Sequence, residues 1–341
     1  MPNQKKIEDW LKSRKSRNKE FKANHLWKGI SSGNPYELSK AITLIESAKQ
    51  PDREEASKLL KKCLSNKKSS WRIGITGVPG VGKSTFIESF GRVILEKGLR
   101  IAVLAIDPSS SISGGSILGD KTRMEWLSNQ EQVFIRPTPS GLNLGGVAKH
   151  TRESIVLCEA AGYDIILIET VGVGQSETFV HSMVDFFLLL MLAGAGDDLQ
   201  GIKRGIMEMA DALVITKADG ENIVKAKLAR AQYASALHLF PSKENEWIVP
   251  ALVTSSIEKQ GLDEVWQTIC TFFTKHSNDG WIQYNRNQQE LQLMNQYVGE
   301  LWLSKMENHP LYPTESERLT KLVNSGKLNG YLAAEELMRS L

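Results

Sequence analysis

A glycine-rich stretch at residues 77–85, with the sequence GVPGVGKST, constrains this chain more than any other feature. It fits the phosphate-binding pattern G-x-x-x-x-G-K-[ST]. The short apolar run before it predicts a buried strand, and apolar residues at helical spacing after it predict a helix at 84–97. In this arrangement the glycines let backbone N–H groups turn toward a polyphosphate, and the helix presents the positive end of its dipole. The sequence therefore predicts a nucleoside triphosphate site.

Individual positions of this loop have expected roles. Lys83 is predicted to reach the β- and γ-phosphates and so to take part in catalysis. The Ser84 hydroxyl is predicted to ligate Mg²⁺. The nucleotide-binding residues predicted in the loop are Gly77, Pro79, Gly80, Val81, Gly82, Lys83, Ser84 and Thr85.

A second motif, T-K-A-D, ends another predicted strand and resembles the base-reading motif of GTPases. The Asp219 carboxylate can accept the N1–H and the exocyclic amino hydrogens of guanine, whereas adenine offers no N1–H donor. The aliphatic stem of Lys217 can cover the base, and Thr216 begins the motif. Ser255 and Ser256, after a later strand, fit a loop that closes on the guanine. These residues predict that the nucleotide is GTP.

Three carboxylates fall near the ends of predicted strands, and Mg²⁺ beside phosphates takes one or two carboxylates. Asp107 follows one strand, and Asp120 lies in the glycine-containing loop after it. Glu169 ends another strand, and the N–H of Gly172 is expected to contact the γ-phosphate, whose loss would release the loop. The predicted metal ligands are Ser84, Asp107, Asp120 and Glu169.

A further glycine-containing loop at residues 193–205 carries Lys203 and Arg204. Either side chain could stabilise transition-state charge, as an arginine finger does. A solvated loop that leads into a helix explains the same composition equally well.

Apolar runs alternate with helical periodicity from about residue 67 to 275, which predicts an α/β fold. We expect a P-loop GTPase domain whose mostly parallel sheet is covered by helices on both faces. Ligands bind such sheets at the carboxyl ends of the strands, where the motifs fall.

The predicted domains are an N-terminal helical extension at 1–66, the GTPase domain at 67–275 and a C-terminal helical arm at 276–341, which packs on its own core or pairs with a second copy. The predicted strands are 73–76, 101–106, 133–136, 165–169, 186–192, 212–216 and 248–253.

Composition is that of an ordinary globular protein, with 41% hydrophobic and 24% charged residues among 341. A net charge of +3 gives no argument for nucleic acid or a membrane as a partner. The longest apolar run, at 186–195, is too short to span a bilayer. The three cysteines are scattered, which favours a reducing compartment, and we expect a cytoplasmic protein.

Three segments together resemble one family of G proteins. They are E-T-V-G-V-G-Q-S-E at 169–177, D-P-S-S with G-G-S-I-L-G-D-K-T-R-M at 107–124, and G-D-x-L-Q-G-I-K at 196–203. The combination is similar to the MeaB/ArgK/MMAA-type G-protein chaperones of adenosylcobalamin-dependent acyl-CoA mutases, which belong to the SIMIBI class of P-loop GTPases. The resemblance covers residues from about 40 to 275.

The resemblance implies a protein that binds GTP with Mg²⁺ and hydrolyses it slowly to GDP. It implies an association with methylmalonyl-CoA mutase or a related mutase, in which the protein gates cofactor loading and protects or reactivates the enzyme. It also implies a homodimer formed through the C-terminal extension. In this family pattern Gln200 and Lys203 belong to a third switch that responds to the mutase, and so join Lys83 as candidate catalytic residues.

Three other functions remain as alternatives. A metallochaperone-type GTPase of the same class should show a Cys or His cluster, and those residues are dispersed here. A P-loop small-molecule kinase would use ATP, which Asp219 disfavours. A protein-targeting GTPase would need a Met-rich domain, and the nine methionines are not clustered.

Overall fold

The computed structural model describes residues 21–47, 49–66, 68–107, 124–139, 144–170, 176–194 and 204–341. The chain forms two compact units, divided between Ile282 and Gln283. No described helix is both long enough and apolar enough to cross a bilayer.

The first unit is built on a parallel sheet whose seven described strands run in the order β3-β2-β4-β1-β5-β6-β7. This confirms the predicted α/β fold. β4 and β6 are buried along their whole length, as expected for strands covered on both faces. The strands are β1 (Trp71–Gly77), β2 (Ile101–Asp107), β3 (Val133–Pro139), β4 (Ile165–Thr170), β5 (Phe186–Leu192), β6 (Ala212–Thr216) and β7 (Ala251–Val253).

The predicted strand at 248–253 is wrong at its start, because β7 begins only at Ala251. Ile248 is 78% exposed, so its side chain takes no part in the core. Pro250 has no N–H to donate to a neighbouring strand. Its carbonyl still accepts from Leu213 N, and regular pairing begins with the next residue.

Helices cover both faces of this sheet. One face carries α4 (Lys83–Glu96) and α10 (Leu262–Asn278), whose phenylalanines pack on residues of β1 and β5 in one apolar cluster. The other face carries α1, α2, α3 and α6 in a second cluster with β2 and β4. The helices of the first unit are α1 (Ala23–Ser31), α2 (Pro35–Ile45), α3 (Gln50–Ser65), α4 (Lys83–Glu96), α5 (Glu125–Ser128), α6 (Leu144–Ala160), α7 (Ser176–His181), α8 (Arg204–Met209), α9 (Ile223–Leu237) and α10 (Leu262–Asn278).

A glycine and an asparagine separate the first two N-terminal helices. Gly33 has φ +76 and follows α1, and the Asn34 side chain caps α2 by accepting from Tyr36 N at 2.9 Å. Leu38 and Ile42 of α2 are fully buried in the cluster shared with the sheet. The predicted domain boundaries at 66/67 and 275/276 remain predictions.

The second unit consists of helices in the part of the chain that is described. α12 (Tyr312–Asn324) and α13 (Gly330–Ser340) contact each other, and each carries one buried apolar residue, Leu319 and Ala333. Arg318 bridges Glu315 and Glu336. α11 carries an apolar stripe that is exposed in the chain taken alone, formed by Leu291 (49% exposed), Met294 (54%), Val298 (59%), Leu301 (56%) and Trp302 (59%). The helices are α11 (Trp281–Glu307), α12 (Tyr312–Asn324) and α13 (Gly330–Ser340).

Aspartates close the amino edge of the sheet. Each precedes a strand, donates its N–H to the carbonyl of a neighbouring segment, and accepts that same residue's N–H with its carboxylate. This satisfies backbone groups that would otherwise be unpaired at a strand start. The carboxylate pairs are Asp164 with Arg100 N (2.8 Å), Asp185 with Arg72 N (2.9 Å) and Asp211 with Phe187 N (2.8 Å).

We predict that Asp185→Ala lowers the free energy of unfolding by about 1–3 kcal/mol, because it leaves the buried Arg72 N–H without its acceptor. Asp185→Asn retains a carbonyl acceptor and should cost less. Chemical denaturation measures both, with Asp263→Ala at an exposed position as the control. An Asp185→Ala variant as stable as the native protein would contradict this role.

Candidate functional site

The phosphate-binding loop connects β1 to α4, as the sequence predicts. A Cβ at Gly77 would lie 2.5 Å from the backbone oxygen of Leu190 on β5, so this close approach requires glycine. Gly80 and Gly82 have φ of +77 and +92, a region that favours glycine. Val81 is fully buried and anchors the loop in the core. α4 begins directly after the last glycine of the loop, so its free N–H groups start beside the loop.

Lys83 is held across this loop by backbone carbonyls. Its Nζ donates to Gly77 O at 2.7 Å and to Val78 O at 3.4 Å. Burial lowers the pKa of Lys83 below its ordinary value, and the nearby carboxylates of Glu169 and Glu177 oppose that shift. A phosphate oxygen beside this ammonium would stabilise its charge more directly than a neutral carbonyl does.

Ser84 and Glu169 form the described part of the predicted metal site. Ser84 Oγ donates to Glu169 Oε1 at 3.3 Å, and Glu169 is only 4% exposed near the end of β4. Hydroxyl and carboxylate oxygens are the hard donors that Mg²⁺ prefers, and beside a triphosphate the ion needs few protein ligands. The pair therefore fits Mg²⁺.

A larger metal cluster does not occur in the described ranges. Among those residues no group of three or more His, Cys, Asp or Glu side chains is placed to hold an ion. The three cysteines are free, and burial raises the pKa of the Cys63 thiol to about 12. Such thiols are poor metal ligands.

The predicted base-reading motif lies directly against the phosphate-binding loop. Thr216 Oγ1 donates to Val81 O at 2.7 Å, and Lys217 Nζ donates to Gly80 O at 2.7 Å. Lys217 has φ +57, which is uncommon for a residue with a side chain. Asn222 Nδ2 donates to Lys217 O at 2.6 Å and holds this turn. The two motifs thus share hydrogen bonds.

Asp219 is positioned by the loop after β7. Ser255 Oγ donates to Asp219 Oδ2 at 2.8 Å and accepts from Glu258 N at 3.0 Å. Ser89 of α4 donates to Ser256 O at 3.0 Å. The helix that follows the phosphate loop therefore also supports the loop predicted to close on guanine.

The structure brings most of the described site residues to one edge of the sheet. Pro79, Gly80 and Thr85 lie in or directly after the loop, and all three are exposed. Asp107 ends β2 opposite Pro139, but its side chain lies outside the described residues. The remaining predicted positions are also outside them: Asp120, Gly172, Gln200 and Lys203.

Three buried hydroxyl groups near the site, those of Ser89, Thr76 and Thr170, are not among the predicted residues. Ser89 lies in α4 between buried Phe86 and Phe90, and a polar residue on the core side of an amphipathic helix is the signal that could have identified it. Thr76 and Thr170 each lie near the end of an apolar strand. Threonine is common in strands because of its β propensity, so the sequence gives no separate signal for a pair of hydrogen-bonded hydroxyls.

Comparison with known proteins identifies the family of this chain. A family model described as methylmalonyl-CoA mutase-associated GTPase MeaB matches residues 38–310. The GTPase ArgK of Escherichia coli (strain K12) is 47% identical over 271 residues, which cover 80% of this chain and 82% of that protein. The mitochondrial methylmalonic aciduria type A homolog of Mus musculus is 44% identical over 327 residues, covering 93% of this chain and 79% of that protein.

A solved structure shows the same fold. The crystal structure of an LAO/AO transport system kinase matches with a TM-score of 0.76 and 36% identity, covering 93% of this chain and 96% of that chain. Together with the family model and the relatives above, this establishes that the chain is a P-loop GTPase and belongs to the MeaB family of methylmalonyl-CoA mutase-associated GTPases.

Proposed function

We propose that this GTPase uses slow hydrolysis of Mg²⁺-bound GTP to GDP to control an adenosylcobalamin-dependent acyl-CoA mutase. The partner is methylmalonyl-CoA mutase or a relative, whose cofactor loading the protein gates and which it protects or reactivates. The family match over residues 38–310 supports the mutase as partner.

One observation supports GTP as the nucleotide: the base-reading and phosphate-binding segments are hydrogen-bonded to each other. The side chains of Thr216 and Lys217 donate hydrogen bonds to the carbonyl groups of Val81 and Gly80, respectively. A nucleotide whose phosphates lie in the loop would therefore have its base near Asp219, which Ser255 already orients. An oriented carboxylate accepts two donors from guanine and meets no N1–H donor on adenine.

Ser84 and Glu169 are proposed to hold Mg²⁺, with Asp107 and Asp120 as the further members of the set. The ion supplies positive charge that neutralises the phosphate oxygens. Lys83 moves its ammonium from the Gly77 carbonyl to the phosphates. The contact to the γ-phosphate is assigned to the N–H of Gly172.

The coupling to the mutase is assigned to residues outside the described ranges. In the sequence, Gln200 and Lys203 lie in the segment between β5, the strand beside β1, and α8. We propose that mutase binding positions Lys203 to stabilise charge during hydrolysis.

The protein is proposed to act as a homodimer in the cytoplasm. Large apolar stripes on helices are normally buried. The exposed apolar stripe of α11 therefore supports a dimer in which a second copy of the chain covers this stripe. The free cysteines support a reducing compartment.

Asp219→Asn is predicted to weaken GTP binding by about tenfold to a hundredfold, because it removes a charged acceptor. The same variant should gain affinity for xanthosine triphosphate, which carries an oxygen in place of the amino group. Calorimetry with GTP, ATP and xanthosine triphosphate measures the change, and Asp263→Asn is the exposed control. Equal binding of ATP and GTP by the native protein would favour the small-molecule kinase instead.

Lys203→Ala is predicted to leave intrinsic GTP hydrolysis nearly unchanged and to reduce its stimulation by methylmalonyl-CoA mutase by at least about tenfold. Phosphate release is measured with and without the purified mutase. Lys225→Ala, on the exposed side of α9, is the matched control. Full stimulation of the Lys203→Ala variant would remove this residue from the switch.

Replacing Val298 and Leu301 together by lysine should convert a dimer to a monomer, because it places charges in the apolar stripe of α11. Gln296→Lys adds a charge on the opposite side of that helix and should leave the mass unchanged. Light scattering distinguishes the two states. A dimeric double variant would show that α11 is not the interface.

A further inference from the structure

Two threonine hydroxyls form a hydrogen bond beneath the nucleotide site. Thr76 Oγ1 and Thr170 Oγ1 lie 2.8 Å apart, and the two residues are 1% and 0% exposed. Thr76 directly precedes Gly77 of the phosphate loop, and Thr170 directly follows Glu169. The bond therefore connects the strand that enters the phosphate loop with the strand that carries a proposed metal ligand.

The surroundings give these hydroxyls no evident role in folding. Side chains two residues apart on a strand share a face, so Thr76 lies on the face of Gly74 and Thr170 on the face of Ile168. A Cβ on Gly74 would contact Phe187, Val180 and Val184, which shows how apolar this layer is. Replacing both partners of a buried hydrogen bond by apolar groups of the same shape is nearly neutral for stability. Valine has that shape, so a pair of valines would serve the fold equally well.

The bond lies just beyond the end of the ladder between β1 and β4. Their last paired residues are Ile75 and Glu169. Farther along, β1 continues to pair with β5 as far as Gly77, and β4 continues with β2 as far as Thr170. The two central strands are thus held to their outer neighbours while their own backbone pairing has ended. The threonine bond is a side-chain connection across that gap.

The gap separates two of the proposed protein ligands of Mg²⁺, Ser84 and Glu169. Glu169 points to the face opposite Thr170, toward Ser84 at the start of α4, and their oxygens are 3.3 Å apart. Any separation of β1 from β4 at this level would move Glu169 away from the phosphate loop and its helix. Mg²⁺ demands near-ideal geometry with short oxygen contacts, so it is sensitive to such a displacement.

We propose that Thr76 and Thr170 are positioning residues that set the separation of Ser84 and Glu169, so that both oxygens meet one Mg²⁺ beside the phosphates. This role rests on the proposed metal site. The hydroxyls themselves contact neither the ion nor the nucleotide. They fix the strand ends from the opposite face of the sheet.

The test compares two double variants of the full-length protein. Thr76→Val with Thr170→Val keeps the shape and removes the bond, whereas Thr76→Ser with Thr170→Ser keeps the hydroxyls and removes two methyl groups. A fluorescent non-hydrolysable GTP analogue is titrated with Mg²⁺ at equilibrium. The valine variant should need roughly tenfold more Mg²⁺ for half-maximal tight binding, and the serine variant should stay near the native value. Affinity for the analogue in EDTA and the melting temperature in metal-free buffer should be unchanged in the valine variant.

Each contrary result has a distinct meaning. Native binding that does not depend on Mg²⁺ would overturn the metal site itself. Native dependence with the same Mg²⁺ requirement in the valine variant would overturn the positioning role alone. A valine variant that melts earlier without metal, or loses affinity equally in EDTA, would show that the hydroxyls serve the fold, and would also overturn the proposal.

Discussion

The nucleotide site depends on two hydrogen bonds that join segments far apart in the sequence. The Thr216 hydroxyl and the Lys217 ammonium donate to consecutive carbonyls of the phosphate loop, at Val81 and Gly80. A phosphate is bound by the N–H groups of this loop. Because Thr216 and Lys217 bind only carbonyl groups of the loop, its N–H groups stay available for a phosphate. In the proposed binding mode, the protein sets the distance between the phosphates and Asp219 before any nucleotide arrives. Preorganisation of this kind lowers the entropy cost of binding.

Much of this arrangement follows from the sequence because it depends on local patterns. The glycines and Lys83 of the phosphate loop, and Asp219 after an apolar strand, are each recognisable within a few residues. The parallel sheet follows from apolar strands that alternate with helices. Parallel strands place their carboxyl ends at one edge, so the prediction that these motifs meet needed no further information.

The parts that the sequence did not predict depend on contacts between distant residues. The bond from Ser89 to Ser256 O spans residues that no local pattern connects. The same is true of Thr76 and Thr170, whose hydroxyls meet only because β1 and β4 are neighbours in the sheet. The late start of β7 reflects Pro250, whose effect on pairing depends on which neighbour it faces.

The decisive measurement for this arrangement is a crystal structure with Mg²⁺ and a non-hydrolysable GTP analogue. We expect Lys83 Nζ to leave Gly77 O for a phosphate oxygen, while the bonds from Thr216 and Lys217 to the loop persist. We also expect the Asp219 carboxylate to lie about 2.7–3.2 Å from guanine N1 and the exocyclic nitrogen. A base bound away from Asp219, or phosphates bound with Lys83 still on the Gly77 carbonyl, would contradict this arrangement.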